Sequence, residues 1–147
     1  DQLLLRMKPD DWDQVIATNL TAAFTCAQAV IRPMIKQRGG RIVNLTSDAG
    51  LGAVGSSNYA AASEGIVGLT RTVARDMGRY GVTCNAITPL AQTRLFPGLV
   101  EEYREAGVGL TAEDVAETAL FLAGDRSLKT TGSMIPVDGG VREAFPR

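Results

Sequence analysis

Histidine is absent from the 147-residue chain. That excludes a Ser-His-Asp triad and any metal site with an imidazole ligand, and no metal is expected. Cysteine is scarce: Cys26 and Cys84 lie in separate apolar segments with no CxxC pair. Two isolated thiols exclude a disulfide framework, fit a reducing compartment, and are expected to be buried. Lysine is missing from residues 37 to 128, leaving Lys8, Lys36 and Lys129. No sign of charge dominates, because Lys+Arg 15 against Asp+Glu 16 gives a net charge of −1. A strongly basic nucleic-acid footprint and a polyacidic tail are therefore excluded, though a local patch is not. No continuous apolar run approaches the roughly 18–20 residues that span a bilayer. No signal peptide opens the chain, which begins at Asp1 inside what reads as an element. The expectation is a cytoplasmic protein with neither a membrane nor a nucleic-acid partner.

The residues present are those of a globular chain, with 45% hydrophobic and 21% charged residues. The length predicts one domain over residues 1–147. Apolar residues from Trp12 to Met34 recur at three- and four-residue steps, which predicts a helix over 9–38. Pro9 and three early aspartates suit its start; Pro33 is expected to kink or end it, and Gly39-Gly40 to stop it. Arg41–Thr46 is short and β-branched, as a strand buried on both faces should be. A glycine-rich loop, 47–56, leads to a second helix over about 57–80, capped by Gly81. Val82–Ile87 reads as the second strand, completing a βαβ unit. Residues 89–109 read as loop with one polar helical patch, Glu101–Ala106. Thr111 followed by Glu113-Asp114 opens a third helix to Ala123, and Met134–Val137 is a third strand ended by Asp138-Gly-Gly.

This alternation predicts an α/β fold, a partial Rossmann-type parallel sheet of about three strands with flanking helices. Open α/β sheets usually hold five or more strands, and helix 9–38 is apolar round much of its circumference. Either part of the sheet is missing or its faces are hidden in an oligomer.

Gly50-Leu-Gly52-Ala-Val-Gly55 is a literal GxGxxG between a strand and a helix. Its first glycine comes four residues after the strand, the helix begins beyond its last, and no acidic residue ends the next strand. The better reading is a mobile glycine loop, not a dinucleotide fingerprint.

Ser47 and Tyr59 carry more chemistry. One follows the strand; the other lies in the first turn of the next helix, which brings the phenol back over the strand's carboxyl end. That edge is where open α/β sheets bind ligands. Together with Asn19-Leu20, Gly40-Arg-Ile-Val-Asn-Leu-Thr-Ser47, Asn58-Tyr59-Ala-Ala-Ala, Asn85-Ala-Ile-Thr-Pro89, Asp114-Val-Ala-Glu, Phe121-Leu-Ala, Thr131-Gly132 and Val137-Asp-Gly-Gly140, the sequence resembles the short-chain dehydrogenase/reductase family. The similarity is closest to its 3-oxoacyl-carrier-protein reductase and sugar or polyol dehydrogenase branches and covers essentially the whole chain. The resemblance implies an oxidoreductase that moves hydride between NAD or NADP and a carbonyl or alcohol substrate. It implies Tyr59 as general acid/base, Ser47 holding the carbonyl oxygen, and Asn19 supporting a proton-relay water. Tyr59, Pro89 and Thr93 would touch the cofactor. Each residue also has a plainer role available: Tyr59 as a helix-start tyrosine, Ser47 as a cap, Asn19 as a satisfied buried amide, Asp138 as a turn residue, and Trp12 in a core or interface.

The sequence departs from the family in three places. The family's lysine, four residues after the tyrosine, is Ser63 here, with Glu64 behind it. A hydroxyl supplies no charge to lower the phenol's pKa and cannot reach a ribose. The family's N-terminal half, with its own glycine turn and first strands, has no counterpart. Pro89-Leu90 replaces the usual Pro-Gly, with Thr93 one residue closer. Two readings follow: the catalytic-side segment of a reductase, or a non-catalytic member acting through family interfaces. Helices 9–38 and 57–80 would pack a homo-oligomer in either case.

Overall fold

The computed structural model describes residues 1–91, 93–94 and 110–140. The expected patch Glu101–Ala106 lies outside them. A parallel three-stranded sheet in the order β1-β2-β3 is built from β1 (Gly40–Leu45), β2 (Val82–Pro89) and β3 (Met134–Val137). Gly40 pairs with Val82 and Leu45 with Ile87; Ala86 pairs with Met134 and Pro89 with Val137. The helices are α1 (Pro9–Ile16), α2 (Ala22–Gln37), α3 (Ser57–Met77) and α4 (Ala112–Ala123). The chain is thus α/β, a partial Rossmann-like sheet flanked by helices.

The strand in the middle carries the core. Val82 to Thr88 are all buried, because β2 has a strand on each side and helices over both faces. Asn44 and Thr46 of the β1 segment reach α3, through Thr70 and the Ser63 carbonyl. Arg41 turns to the other face and pairs with Asp125, just beyond α4, at 3.5 Å. Ile87 and Leu122 are fully buried. The outer edge of β1 has no strand partner among the described residues, and Leu45 beside it is exposed.

Several expectations are corrected. Helix 9–38 runs from Pro9 to Gln37 but is broken by a π-helical turn, Ala17–Thr21. Pro33 does not end it, since the ring deletes a single intrahelical hydrogen bond and four more residues follow. The stop is Arg38 in the left-handed region (φ 58°), while Gly40 already begins β1. Cys26 is exposed rather than buried: its helix turns only one side to the rest of the chain, and Ala27 is the buried residue of α2. Residues 14–31 contain no charge, and the helix Pro9–Gln37 proves long and apolar enough, by length and composition alone, to cross a membrane. Here it packs one side on α3 and β1, leaving Trp12, Phe24 and Val30 exposed.

The other boundaries follow local chemistry. α3 gives way to a 3-10 turn, Gly78–Tyr80, and Gly81 closes it at φ 76°. An added Cβ at Gly81 would lie 2.7 Å from the Arg38 carbonyl oxygen, so glycine is demanded twice over. α4 opens with a complete capping box: the Thr111 hydroxyl accepts the Asp114 N–H and the Asp114 carboxylate accepts the Thr111 N–H. The Thr111 N–H and, second to it, the Thr111 hydroxyl both donate to Asp114 Oδ2, at 2.7 and 3.0 Å, and hold the Asp114 carboxyl below its usual pKa. The Gly50–Gly55 loop carries a 3-10 turn, Asp48–Leu51. Gly50 lets α3 approach, with an added Cβ 3.0 Å from Glu64 Oε2, while Gly52 and Gly55 take positive φ. The glycines serve packing and turning, in a segment that the sequence reading took as a mobile loop.

Candidate active site

The site lies at the carboxyl end of the sheet, where three short segments meet α3. The first leaves β1. The Thr46 N–H donates to the Ile87 carbonyl (2.9 Å), so the ladder continues one step, and its hydroxyl donates to the Ser63 carbonyl (2.7 Å). Ser47 then turns out of the sheet and caps the 3-10 turn. Its Oγ accepts the Ala49 N–H at 3.2 Å and donates to Asp48 Oδ1 at 3.3 Å. The plain role of a cap is thus filled. The bond to Asp48 is long and weak, so the hydroxyl can be turned to a ligand at small cost.

Tyr59 is the third residue of α3 and 38% exposed. Its position is set by Asn58, whose Oδ1 accepts the Tyr59 N–H (2.8 Å) and whose Nδ2 donates to the Asp11 carbonyl in α1 (3.1 Å). The second segment is the π turn with Asn19 at its centre. Such insertions free backbone groups and cluster at functional sites. The Asn19 Nδ2 donates to the Val15 carbonyl at 2.9 Å, which leaves Oδ1 as its remaining acceptor. The turn packs against α3 with Leu20 on Gly65, where an added Cβ would lie 2.7 Å from Leu20 Cδ2. A mid-helix glycine costs about 1 kcal/mol of helix propensity, and the close approach explains it.

The third segment is the end of β2. Pro89 is its last residue, and the Leu90 N–H donates to the Val137 carbonyl (2.8 Å). Thr93 is exposed, and residues 92 and 95–109 beside it lie outside the description. The fold therefore gathers Asn19, Ser47 and Tyr59 on elements that all pack on α3, with Pro89 on the same sheet edge. Among the described residues the side chains of Asn19, Ser47 and Tyr59 make no hydrogen bond to one another. Asp138 behaves as a turn residue, accepting the Gly140 N–H at 3.0 Å.

One feature escaped the sequence reading. Asn85 is fully buried, donating from Nδ2 to the Thr130 carbonyl (2.9 Å) and accepting the Ser133 N–H on Oδ1 (3.2 Å). It clamps the segment before β3 to β2; only its asparagine identity inside an apolar strand hinted at this. Ser63 is 2% exposed, on the stripe of α3 that meets the sheet with Ile66, Val67 and Thr70. Below that stripe Cys84 is fully buried, and burial pushes its thiol up to about 11 against an opposing Thr70 hydrogen bond.

The comparisons with known proteins agree with this architecture. Residues 1–142 match the family described as enoyl-(acyl carrier protein) reductase. The chain is similar to the 3-oxoacyl-[acyl-carrier-protein] reductase of Pseudomonas aeruginosa, at 41% identity over 96% of this chain and 61% of the relative. The corresponding reductase of Synechocystis is 44% identical, over 96% and 60%. The rat (3R)-3-hydroxyacyl-CoA dehydrogenase is 38% identical, over 96% and 58%. The chain thus spans about three fifths of the length of the curated relatives it matches. On its sequence motifs, its parallel sheet and these matches, the chain belongs to the short-chain dehydrogenase/reductase family.

Proposed function

We propose that this chain carries the proton-handling side of a short-chain oxidoreductase site acting on a carbonyl or alcohol. The observation that supports it is the packing of the Ser47 turn and the Asn19 turn on the helix that presents Tyr59. In the reducing direction the Ser47 hydroxyl swings from Asp48 to donate to the substrate carbonyl oxygen. With hydride supplied to the carbonyl carbon by a nicotinamide cofactor, the Tyr59 phenol would give its proton to the resulting alkoxide oxygen, and a water on Asn19 Oδ1 would reprotonate the phenolate. The names of the relatives make a 3-oxoacyl thioester the first substrate to try.

NAD or NADP is the cofactor that membership implies, with Tyr59, Pro89 and Thr93 as its proposed contacts. The described residues do not fit a tightly held dinucleotide. Position 63, where the family places a lysine, is a buried serine, and the charges flanking Ser47 and Ser63 in sequence are the carboxylates of Asp48 and Glu64. Ser63 also favours a second reading, a non-catalytic member that works through oligomer contacts. A groove of about 450 Å³ between α2 and α3, lined by Phe24, Ile31, Leu69, Val73 and Met77, suits a homo-oligomer in both readings. Sedimentation of Phe24→Asp as a smaller species than the native chain would support that interface, and unchanged sedimentation would remove it. The exposed free Cys26 fits a cytoplasmic, reducing setting.

Reduction of acetoacetyl-CoA by NADPH separates the two readings. The first expects Ser63→Lys to raise the rate, and Tyr59→Phe in that background to remove it by about two orders of magnitude or more. Turnover that survives Tyr59→Phe sinks the tyrosine mechanism. A Ser63→Lys variant as inert as the native chain leaves the non-catalytic reading.

A further inference from the structure

Two asparagine side chains hold the same helix. Asn19, in the π turn, donates from Nδ2 to the Val15 carbonyl at 2.9 Å, and Asn58, the second residue of α3, donates from Nδ2 to the Asp11 carbonyl at 3.1 Å. Asp11 and Val15 stand four residues apart in α1, so their carbonyls lie on one side of it, about 6 Å apart along its axis. Asn58, Asp11 and Val15 also line one cleft, which sets that side of α1 toward the start of α3. The other end of the Asn58 amide is occupied as well, since its Oδ1 accepts the Tyr59 N–H at 2.8 Å. That bond fills a gap at the helix start. Ser56 stands at the N-cap, but its hydroxyl donates to Asp1 Oδ1 (2.9 Å) and caps nothing. The first-turn N–H that a cap would take is left to Asn58.

We propose that Asn58 is a positioning residue: it ties the backbone of Tyr59 to α1 one helical turn from the point where Asn19 is tied, and so sets the separation between the turn that presents the phenol and the turn that presents the Asn19 acceptor. This rests on the reading of Tyr59 and Asn19 given above, and it adds a residue that the proton route does not itself use. Without the tie α3 still folds, because its buried stripe from Ala62 to Ala74 is untouched. Its first turn alone loses its place against α1.

The full chain labelled with 3-fluorotyrosine tests this without turnover. Its tyrosines are Tyr59, Tyr80 and Tyr103, and the fluorine resonance missing from Tyr59→Phe identifies Tyr59. Asn58→Ala removes both bonds, whereas Asn58→Asp keeps an acceptor for the Tyr59 N–H and loses the donor to α1. Both variants are expected to shift or broaden the Tyr59 resonance, to leave that of Tyr80 beyond the far end of α3 in place, and to melt within a few degrees of the native chain. A native Tyr59 resonance in Asn58→Asp means that Asn58 only caps the helix, and overturns the proposal. Displacement of Tyr59 and Tyr80 alike, or loss of the folded state, marks a general structural role and overturns it too. In the Ser63→Lys background of the rate assay, Asn58→Asp is expected to lower kcat about tenfold or more at nearly constant KM, and to cost nothing further when combined with Tyr59→Phe. An unchanged kcat beside a displaced Tyr59 resonance overturns the positioning role and leaves the proton route intact. Turnover that survives Tyr59→Phe, or a Ser63→Lys chain that stays inert, instead removes the reading of Tyr59 and the proposal with it.

Discussion

Asn85 lets the strength of the β2–β3 connection be worked out from the structure. Truncating it to alanine removes the donor to the Thr130 carbonyl at 2.9 Å and the acceptor for the Ser133 N–H at 3.2 Å. Each bond contributes about 1 kcal/mol net, and a backbone group left dry costs about 1–3 kcal/mol. Thr130 and Ser133 are half-buried and water reaches them in part, so the lower end applies. The fully buried side chain also leaves a small cavity. The sum for Asn85→Ala is about 2–4 kcal/mol, a large share of the roughly 5–15 kcal/mol that holds a domain together. Urea unfolding followed by circular dichroism should show the midpoint falling at constant slope. Asn85→Asp adds a sign. One carboxylate oxygen still accepts from Ser133, but the other faces the Thr130 carbonyl without a proton to share. Burial and that contact raise the folded pKa above the unfolded value of about 3.9. The folded state then binds more protons, so relative stability is greatest at acid pH and declines as pH rises through the folded pKa. A loss below about 0.5 kcal/mol for Asn85→Ala, smaller than one net hydrogen bond, would refute the clamp. So would an Asn85→Asp deficit that does not grow between acid and neutral pH.

Further outcomes follow from single positions. Gly81→Ala should lower stability by at least about 1–2 kcal/mol from its left-handed backbone alone, with the Arg38 carbonyl contact adding to it. Gly78→Ala is its control: φ is −55° with nothing within 4 Å of an added Cβ, so it should stabilise by about 0.4–1 kcal/mol in the same melt. Cys26 should react with Ellman's reagent in the native protein, and Cys84 only on unfolding. Because burial raises the Cys84 thiol from 9.0 to about 11, its contribution to stability is complete below pH 9 and lost as pH rises toward 11. Cys84→Ala should flatten that alkaline decline in melting temperature, and an unchanged slope would contradict the burial argument.

Much of the fold was legible because it is written in local patterns. The third strand fell on Met134–Val137 as expected, and the Thr111–Asp114 cap formed as its spacing implied. The misses are tertiary. A π turn and an ordinary helical turn share one apolar rhythm, so only the awkward Asn19 in mid-helix hinted at Ala17–Thr21. Cys26 looked buried because an apolar helix does not say which side meets protein. Pro33 looked like a kink or an end because a sequence does not reveal how cheaply a last turn forgoes one bond. Candidate site residues were legible through spacing, Ser47 after the strand and Tyr59 at the next helix start. Asn85 was not, since its role depends on which residues lie across the sheet.

The central question is whether the native chain, with serine at position 63, holds a dinucleotide. Titrating NADH and NADPH separately against the native chain, with nicotinamide fluorescence as the signal, asks this directly. No saturable binding is expected below about 1 mM, equivalent to less than about 4 kcal/mol of binding free energy. Saturable binding in the micromolar range, with serine at position 63 and no strand on the outer edge of β1 among the described residues, would contradict that expectation.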